Sequence, residues 1–259
     1  MTDRPHIRAA GPGKLAGKVA IVTVGGRDIG AAAARGLAAE GAAVAINCFA
    51  SLAGANAVAD EITGAGGRAF ALRGDLTDPA AVEAHVARAA EEFGGIDVLV
   101  NNAGGLIERV RIAGMPLEHW RAVMDLNLTS TFLMTRAALA HMTTGAIVNI
   151  ASQAARDGGG PGAVAYAASE GAVMTMTRGL AKELGPEIRV NALCPGMIDT
   201  DFHNIHTPDA GRRGFEASAP LRRHGTVEDT AKLILFLACD DSAFLTGTNV
   251  DINGGMLFS

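Results

Sequence analysis

The sequence predicts one α/β domain, a Rossmann-type doubly wound parallel sheet of about seven strands with helices on both faces. Three observations carry this. From Lys18 onward, short apolar runs alternate with longer helical patterns, the signature of repeated βαβ units. Apolar residues make up 49% of the chain and aromatics only 4%, so the core is built from Ala, Val, Leu and Ile, as buried parallel strands and their covering helices require. The 259 residues contain no linker, internal repeat or low-complexity run, and 33 glycines suit a fold with many tight turns.

Taken in order, the predicted strands are 19–23, 43–46, 68–72, 98–101, 146–150, 189–193 and 248–250, each apolar enough to be buried on both sides. Helical periodicity falls between them, over 29–40, 54–65, 79–93, 117–142, 163–184 and 227–237. Residues 1–15 are polar with Pro and Gly and read as a mobile arm, leaving 16–259 as the domain. They lack the apolar stretch of a signal peptide, and no run elsewhere is long enough to span a bilayer.

The formal charge of -5, with Lys and Arg scattered, gives no basic face and no support for nucleic-acid binding. Cys48, Cys194 and Cys239 are widely spaced and odd in number, which points to a reducing cytoplasm rather than a disulfide framework. The histidines meet no metal-site spacing.

Ligands of open parallel sheets bind beyond the carboxyl ends of the strands, where the strand order reverses. Thr23–Gly30, Asn101–Gly104, Ser152 and Pro195–Thr200 each follow a predicted strand and should converge on one crevice. Asn101-Asn102-Ala103-Gly104, Ser152 in NIAS, Asn127 in DLNLTST, Tyr166 in YAASE and Pro195-Gly196 together resemble the short-chain dehydrogenase/reductases over nearly the whole chain. The resemblance implies an NAD(P)(H)-dependent carbonyl reductase or alcohol dehydrogenase and a homo-oligomer, tetramer or dimer, paired through the 117–142 and 163–184 helices. It also implies that Tyr166 is the proton donor, Ser152 orients it, and Asn127 holds a proton-relay water.

Two departures stand out. Where the family has T-G-x-x-x-G-x-G, this chain reads Thr23-Val-Gly-Gly-Arg-Asp-Ile-Gly30. Val24 and Asp28 replace glycines that let the turn reach positive φ and let the diphosphate approach backbone NH groups. Asp28 would repel phosphate, although a carboxylate at a helix start can cap free NH groups. Gly25 and Gly26 offer another route for the turn. The remaining cofactor candidates are Thr23, Arg27, Ile29, Gly30, Asn47, Asp75, Leu76, Asn102, Ala103, Gly104, Pro195, Gly196, Ile198 and Thr200. In the resemblance, Asp75 meets the adenine amino group and Thr200 the nicotinamide carboxamide. Asn47-Cys48 ends the second strand without a carboxylate, and Arg27 occupies a position that faces the 2'-phosphate in NADP-dependent relatives. NADP(H) is therefore favoured over NAD(H), with binding weakened by Val24 and Asp28.

The second departure is Glu170, which stands where the family has its catalytic lysine. Residues i and i+4 share a helix face, so Glu170 lies near the phenol. Two unit charges about 6 Å apart at an effective dielectric of about 20 interact by roughly 3 kcal/mol, so an ionised Glu170 raises the phenol pKa where lysine lowers it. The alternative is a cofactor-independent lyase, isomerase or cyclase, with Glu170 as general base and Tyr166 and Ser152 stabilising an oxyanion. Halohydrin dehalogenases, which place arginine at this position, do not fit because Glu170 repels halide. A non-catalytic binding protein is a third reading. Gln153, His203 and His206 are the candidate substrate contacts. With Arg212 and Arg213 in the covering segment 198–221, they suggest a small polar carbonyl or hydroxy compound, with an anionic group.

Overall fold

A computed structural model describes residues 13–258. Strands β1 (Val19–Val22), β2 (Ala43–Cys48), β3 (Arg68–Arg73), β4 (Val98–Asn101), β5 (Gly145–Ile150), β6 (Ile188–Pro195) and β7 (Asn249–Ile252) form one sheet. Their order is β3-β2-β1-β4-β5-β6-β7, and every pairing is parallel. The order reverses between β1 and β4, which opens the ligand crevice there. Helices α1 (Asp28–Ala39), α2 (Leu52–Gly64) and α3 (Pro79–Phe93) are followed by α4 (Leu117–Met124) and α5 (Ser130–Leu139). Then come α6 (Ala154–Asp157), α7 (Val164–Leu184), α8 (Asp201–His206), α9 (Asp209–Ser218) and α10 (Val227–Ala238).

Each sheet face has its own core. Buried Ala33, Ala34 and Leu37 of α1, Val58 and Ile62 of α2, and Ile234 and Leu237 of α10 cover one side. Val82 and Val86 of α3, Leu133 and Met134 of α5, and Ala181 of α7 cover the other. Local signals set the helix ends. Asp78 accepts from Ala80 N at 3.0 Å, Pro79 opens α3, and Gly94 closes it in the left-handed conformation. Thr226 and Asp229 form a reciprocal capping box on α10.

Four expectations are corrected. The helix predicted over 117–142 is interrupted by a π turn, Asp125–Thr129, and ends at Leu139. Burial on both sides holds for β1, β2 and β4, but the edge strands β3 and β7 remain partly exposed because each has a neighbour on one side only. The segment 198–221 contains α8 and α9, for which no periodicity was expected. Of the arm predicted over 1–15, residues 1–12 lie outside the described residues, as does residue 259. Leu15, by contrast, is buried and donates its NH to Glu40 O at 2.8 Å, and Lys14 pairs with Asp241 at 2.5 Å. No helix among the described residues is long and apolar enough to cross a membrane.

Candidate active site

The βα turn after β1 keeps a glycine-type shape without its glycines. Val24 and Asp28 adopt φ of 51° and 48°, so the left-handed residues are these two and not Gly25 or Gly26. A β-branched residue there is strained, at about 1–3 kcal/mol. Neighbours hold the turn in place: Gly25 N donates to Asn47 O at 3.0 Å, and Asn102 Nδ2 donates to Thr23 O at 3.1 Å. A Cβ on Gly30 would collide with Val24 O, so that glycine is required by the turn itself.

Several candidates prove to be braces. Thr23 Oγ1 accepts from Asn102 N at 2.7 Å and Ala103 N at 2.8 Å, tying β1 to the β4 exit. Asn47 is fully buried and commits its amide to Val24 N and Gly74 O. Leu76 is in the core. Asp75 Oδ1 accepts from Thr77 N and Oγ1 in a turn, with the residue exposed. Asn127, in the π turn, bonds Gly105 N at 2.7 Å, Gly105 O at 3.1 Å and Ser169 Oγ at 2.9 Å. It thus braces the β4 exit loop against α7.

A cavity of about 580 Å³ lies beyond the strand ends. Its wall includes Ile29, Asn102, Gly104, Ser152, Gln153, Tyr166, Glu170, Pro195, Gly196, Ile198, Thr200, His203 and His206, as well as Val24, Arg27 and Asp28. Thr23, Gly25, Gly26, Gly30, Asn47, Asp75, Leu76, Ala103 and Asn127 lie off this wall. Sequence reasoning missed Arg109, Asp157 and Phe202. Arg109 Nη1 donates to Pro161 O at 3.2 Å in the glycine-rich run 158–162, and its Nε donates to His206 O at 3.3 Å. Arg109 thereby joins its own loop to the 158–162 loop and to the end of α8 at the exposed rim.

At the crevice mouth Asp28 does not cap α1. Its Oδ1 accepts from Asp201 N at 3.3 Å, and burial raises its pKa. Arg27 turns toward Asp28 (3.4 Å) and Asp201 (3.5 Å). Tyr166 stacks against Phe202 with centroids 5.8 Å apart. Burial raises the phenol pKa most, Glu170 raises it further, and neighbouring Ser152 lowers it. Ser152 Oγ itself accepts from Ala154 N at 3.1 Å.

Glu170 is buried, its Oε2 has no hydrogen-bond partner among the described residues, and burial pushes its pKa up to about 8. Near pH 7 it is mostly protonated. The like-charge effect on the phenol is therefore confined to higher pH, and desolvation leads instead. Gln153 Nε2 donates to Asp157 Oδ2 at 2.8 Å, while its Oε1 is buried without a partner. His203 bonds Thr207 Oγ1 at 2.9 Å, and burial pushes its pKa down to about 4; burial lowers His206 too. Arg212 is spent on Asp199 at 2.6 Å.

The family model described as enoyl-(acyl carrier protein) reductase matches residues 25–257. The chain belongs to the short-chain dehydrogenase/reductase family. It is 38% identical over 248 residues to a 3-oxoacyl-[acyl-carrier-protein] reductase of Synechocystis sp., covering 94% of this chain and 98% of that protein. It is 37% identical to the meso-2,3-butanediol dehydrogenase of Serratia marcescens, covering 92% and 94%. Among solved structures, a short chain dehydrogenase from Burkholderia cenocepacia in complex with NADP superimposes with a TM-score of 0.89 at 38% identity, covering 94% of this chain and 99% of that one. A blue fluorescent protein from a metagenomic library, in complex with NADPH, gives 0.88 at 38% identity, covering 95% and 100%.

A nicotinamide dinucleotide meets a cradle of suitable backbone shape in this short-chain dehydrogenase/reductase, since Val24 and Asp28 hold the conformation that glycines would take. Asp28 and Glu170 also line this cavity, and neither supplies positive charge to it.

Proposed function

We propose that this protein catalyses NAD(P)(H)-dependent reduction of a carbonyl, or oxidation of an alcohol, with NADP(H) favoured over NAD(H) and with cofactor grip and acid strength both reduced. The convergence of Ser152 and Tyr166 in one cavity with Asn102, Gly104, Pro195, Gly196 and Thr200 carries this reading. Asp75, Asn102 and Ala103 would hold the adenosine half, and Gly196, Ile198 and Thr200 the nicotinamide half. When bound, the nicotinamide supplies or accepts the hydride. Tyr166 keeps its proton on the phenol oxygen because burial disfavours the phenolate. It therefore serves carbonyl reduction, which starts from the neutral phenol, better than alcohol oxidation, which starts from the phenolate.

Cytoplasmic residence and a tetramer or dimer belong to the same proposal. Three buried free cysteines and the exposed Phe132 and Val164 on α5 and α7 support it. The substrate is a small molecule, a polar carbonyl or hydroxy compound. The test is titration with NADPH and NADH, following Trp120 fluorescence. Weak binding that tightens in Val24→Gly is expected, and micromolar binding by the parent chain would overturn the reduced grip.

Unpartnered Glu170 beside the phenol favours a second reading, a cofactor-independent lyase, isomerase or cyclase. A general base must be ionised, so turnover of that kind would rise through pH 8 and vanish in Glu170→Gln. Dinucleotide binding with neither activity would leave a non-catalytic binding protein.

A further inference from the structure

The floor of the cavity holds one strongly unusual group. Glu170 lines the cavity, is only 3% exposed, and places Oε2 where nothing among the described residues bonds to it. Native proteins rarely leave such an atom unmatched, so a ligand group is the natural complement. No cation among the described residues takes that place. Arg27 is held by Asp28 and Asp201, and Arg109 is held at the rim by two backbone carbonyls. The other titratable groups influenced by Glu170 are Tyr166 on its own helix and Cys194 from β6; on the wider wall are Asp28, Asp157, the neutral His203, and His206, whose pKa burial lowers. None supplies positive charge to the floor.

The sign of this site decides what suits it. A neutral Glu170 can donate one hydrogen bond to a carbonyl oxygen but repels an oxyanion once it ionises, whereas a positive nitrogen pairs with the carboxylate in a setting screened little by water. We propose that Glu170 makes the cavity floor a site for a basic nitrogen: an ammonium ligand, or a substrate with a C=N bond whose nitrogen takes the Glu170 proton.

The reactive form rests on the hydride-transfer reading above. Glu170 gives its carboxyl proton to the imine nitrogen, leaving a carboxylate paired with an iminium. A hydride from reduced nicotinamide then adds to the iminium carbon, the C=N π electrons go to nitrogen as a lone pair, and a neutral amine results. Solvent returns a proton to Glu170. Imine plus proton plus hydride gives amine, and Tyr166 need not lose its proton.

The experiment is calorimetric titration of the parent chain with piperidinium in buffers of different ionisation enthalpy, together with Glu170→Gln. At pH 7 the free carboxyl is mostly protonated, so binding should release about one proton per ligand, falling nearly to none at pH 9.5 where Glu170 is already ionised. Cys194, pushed up to about 11, and the buried phenol stay protonated, so the proton is that of Glu170. Glu170→Gln should weaken binding by about tenfold or more and abolish the release. Absence of binding by the parent, or binding without proton release at pH 7, overturns the proposal without reliance on any variant. Equal affinity in a folded Glu170→Gln protein also overturns it.

Turnover separates the two readings. With NADPH, 2-methyl-1-pyrroline reduced in preference to a matched cyclic ketone supports the nitrogen site. Ketone reduction in preference to the imine, without coupled piperidinium binding, overturns it and leaves the hydride-transfer reading standing. Proton-coupled binding without reduction of either compound supports the nitrogen site and sinks the hydride-transfer reading.

Discussion

The turn after β1 and Glu170 on α7 each hold side chains unsuited to their places, with opposite consequences. At Val24 and Asp28 the backbone keeps the left-handed conformation although the residues are poor at it. The shape comes from Asn47, Asn102 and the close packing of Gly30, and the substitutions are borne as strain and charge. At Glu170 the backbone is ordinary helix and nothing is strained, but one buried oxygen has no partner. Geometry in this molecule is thus set collectively by neighbours and survives substitution. Chemistry resides in single side chains and does not.

The sharpest test of that contrast is Glu170→Lys. A positive charge beside Tyr166 should raise NADPH oxidation with an activated carbonyl by about 10²-fold or more. Assayed as initial rate, no gain either alone or with Val24→Gly would show that the floor serves other chemistry.

A second effect concerns stability. Burial raises the folded-state pKa of Glu170 from 4.5 to about 8, so the folded chain binds more protons than the unfolded one between those values. Its contribution is fully present below about 4.5, declines as pH rises toward 8, and is flat above that. The total is on the order of a few kcal/mol. Denaturant melts from pH 5 to 9 should show this decline in the parent, and Glu170→Gln should flatten it. An unchanged slope in the variant would mean that the carboxyl is solvated in the native protein.

Val24→Gly should stabilise the fold by about 1 kcal/mol through relief of strain, less the flexibility that glycine adds to the unfolded chain. It should also tighten dinucleotide binding. A destabilised variant would show that the contacts of Val24 with the core outweigh its strain.

The smallest effect is expected of Asp28→Asn, which keeps size and left-handed tolerance while removing charge. NADP(H) should bind a few-fold tighter, with weaker dependence on salt. Equal affinity in both proteins would place the diphosphate away from Asp28.

The sheet was legible because each strand is a short apolar run framed by turn residues, and β4 and α3 match their predicted bounds. The π turn was not, since Asp125-Leu-Asn-Leu-Thr129 contains no Pro or Gly to mark it. The meeting of Ser152, Tyr166, Glu170, Gly196 and Thr200 in one cavity followed from their positions after strands and on α7. Side-chain commitments did not. Asn47 lies one residue before the end of β2, among the cofactor candidates, and its amide is used by two loops. Arg109 sits among residues whose pairing depends on carbonyls 52 and 97 residues away in sequence.

The π turn at Asp125–Thr129 also acts as a gear change within one helical rod. A regular helix advances about 100° per residue, so widening one turn rotates everything after it relative to everything before. Ahead of the turn, α4 packs on α7; beyond it, α5 packs on α3, with Leu133, Met134 and Ala138 facing the core. One continuous rod thereby serves two neighbours that a straight stripe would not reach together. Removing a single residue there would turn α5 out of phase with α3 while leaving its composition untouched.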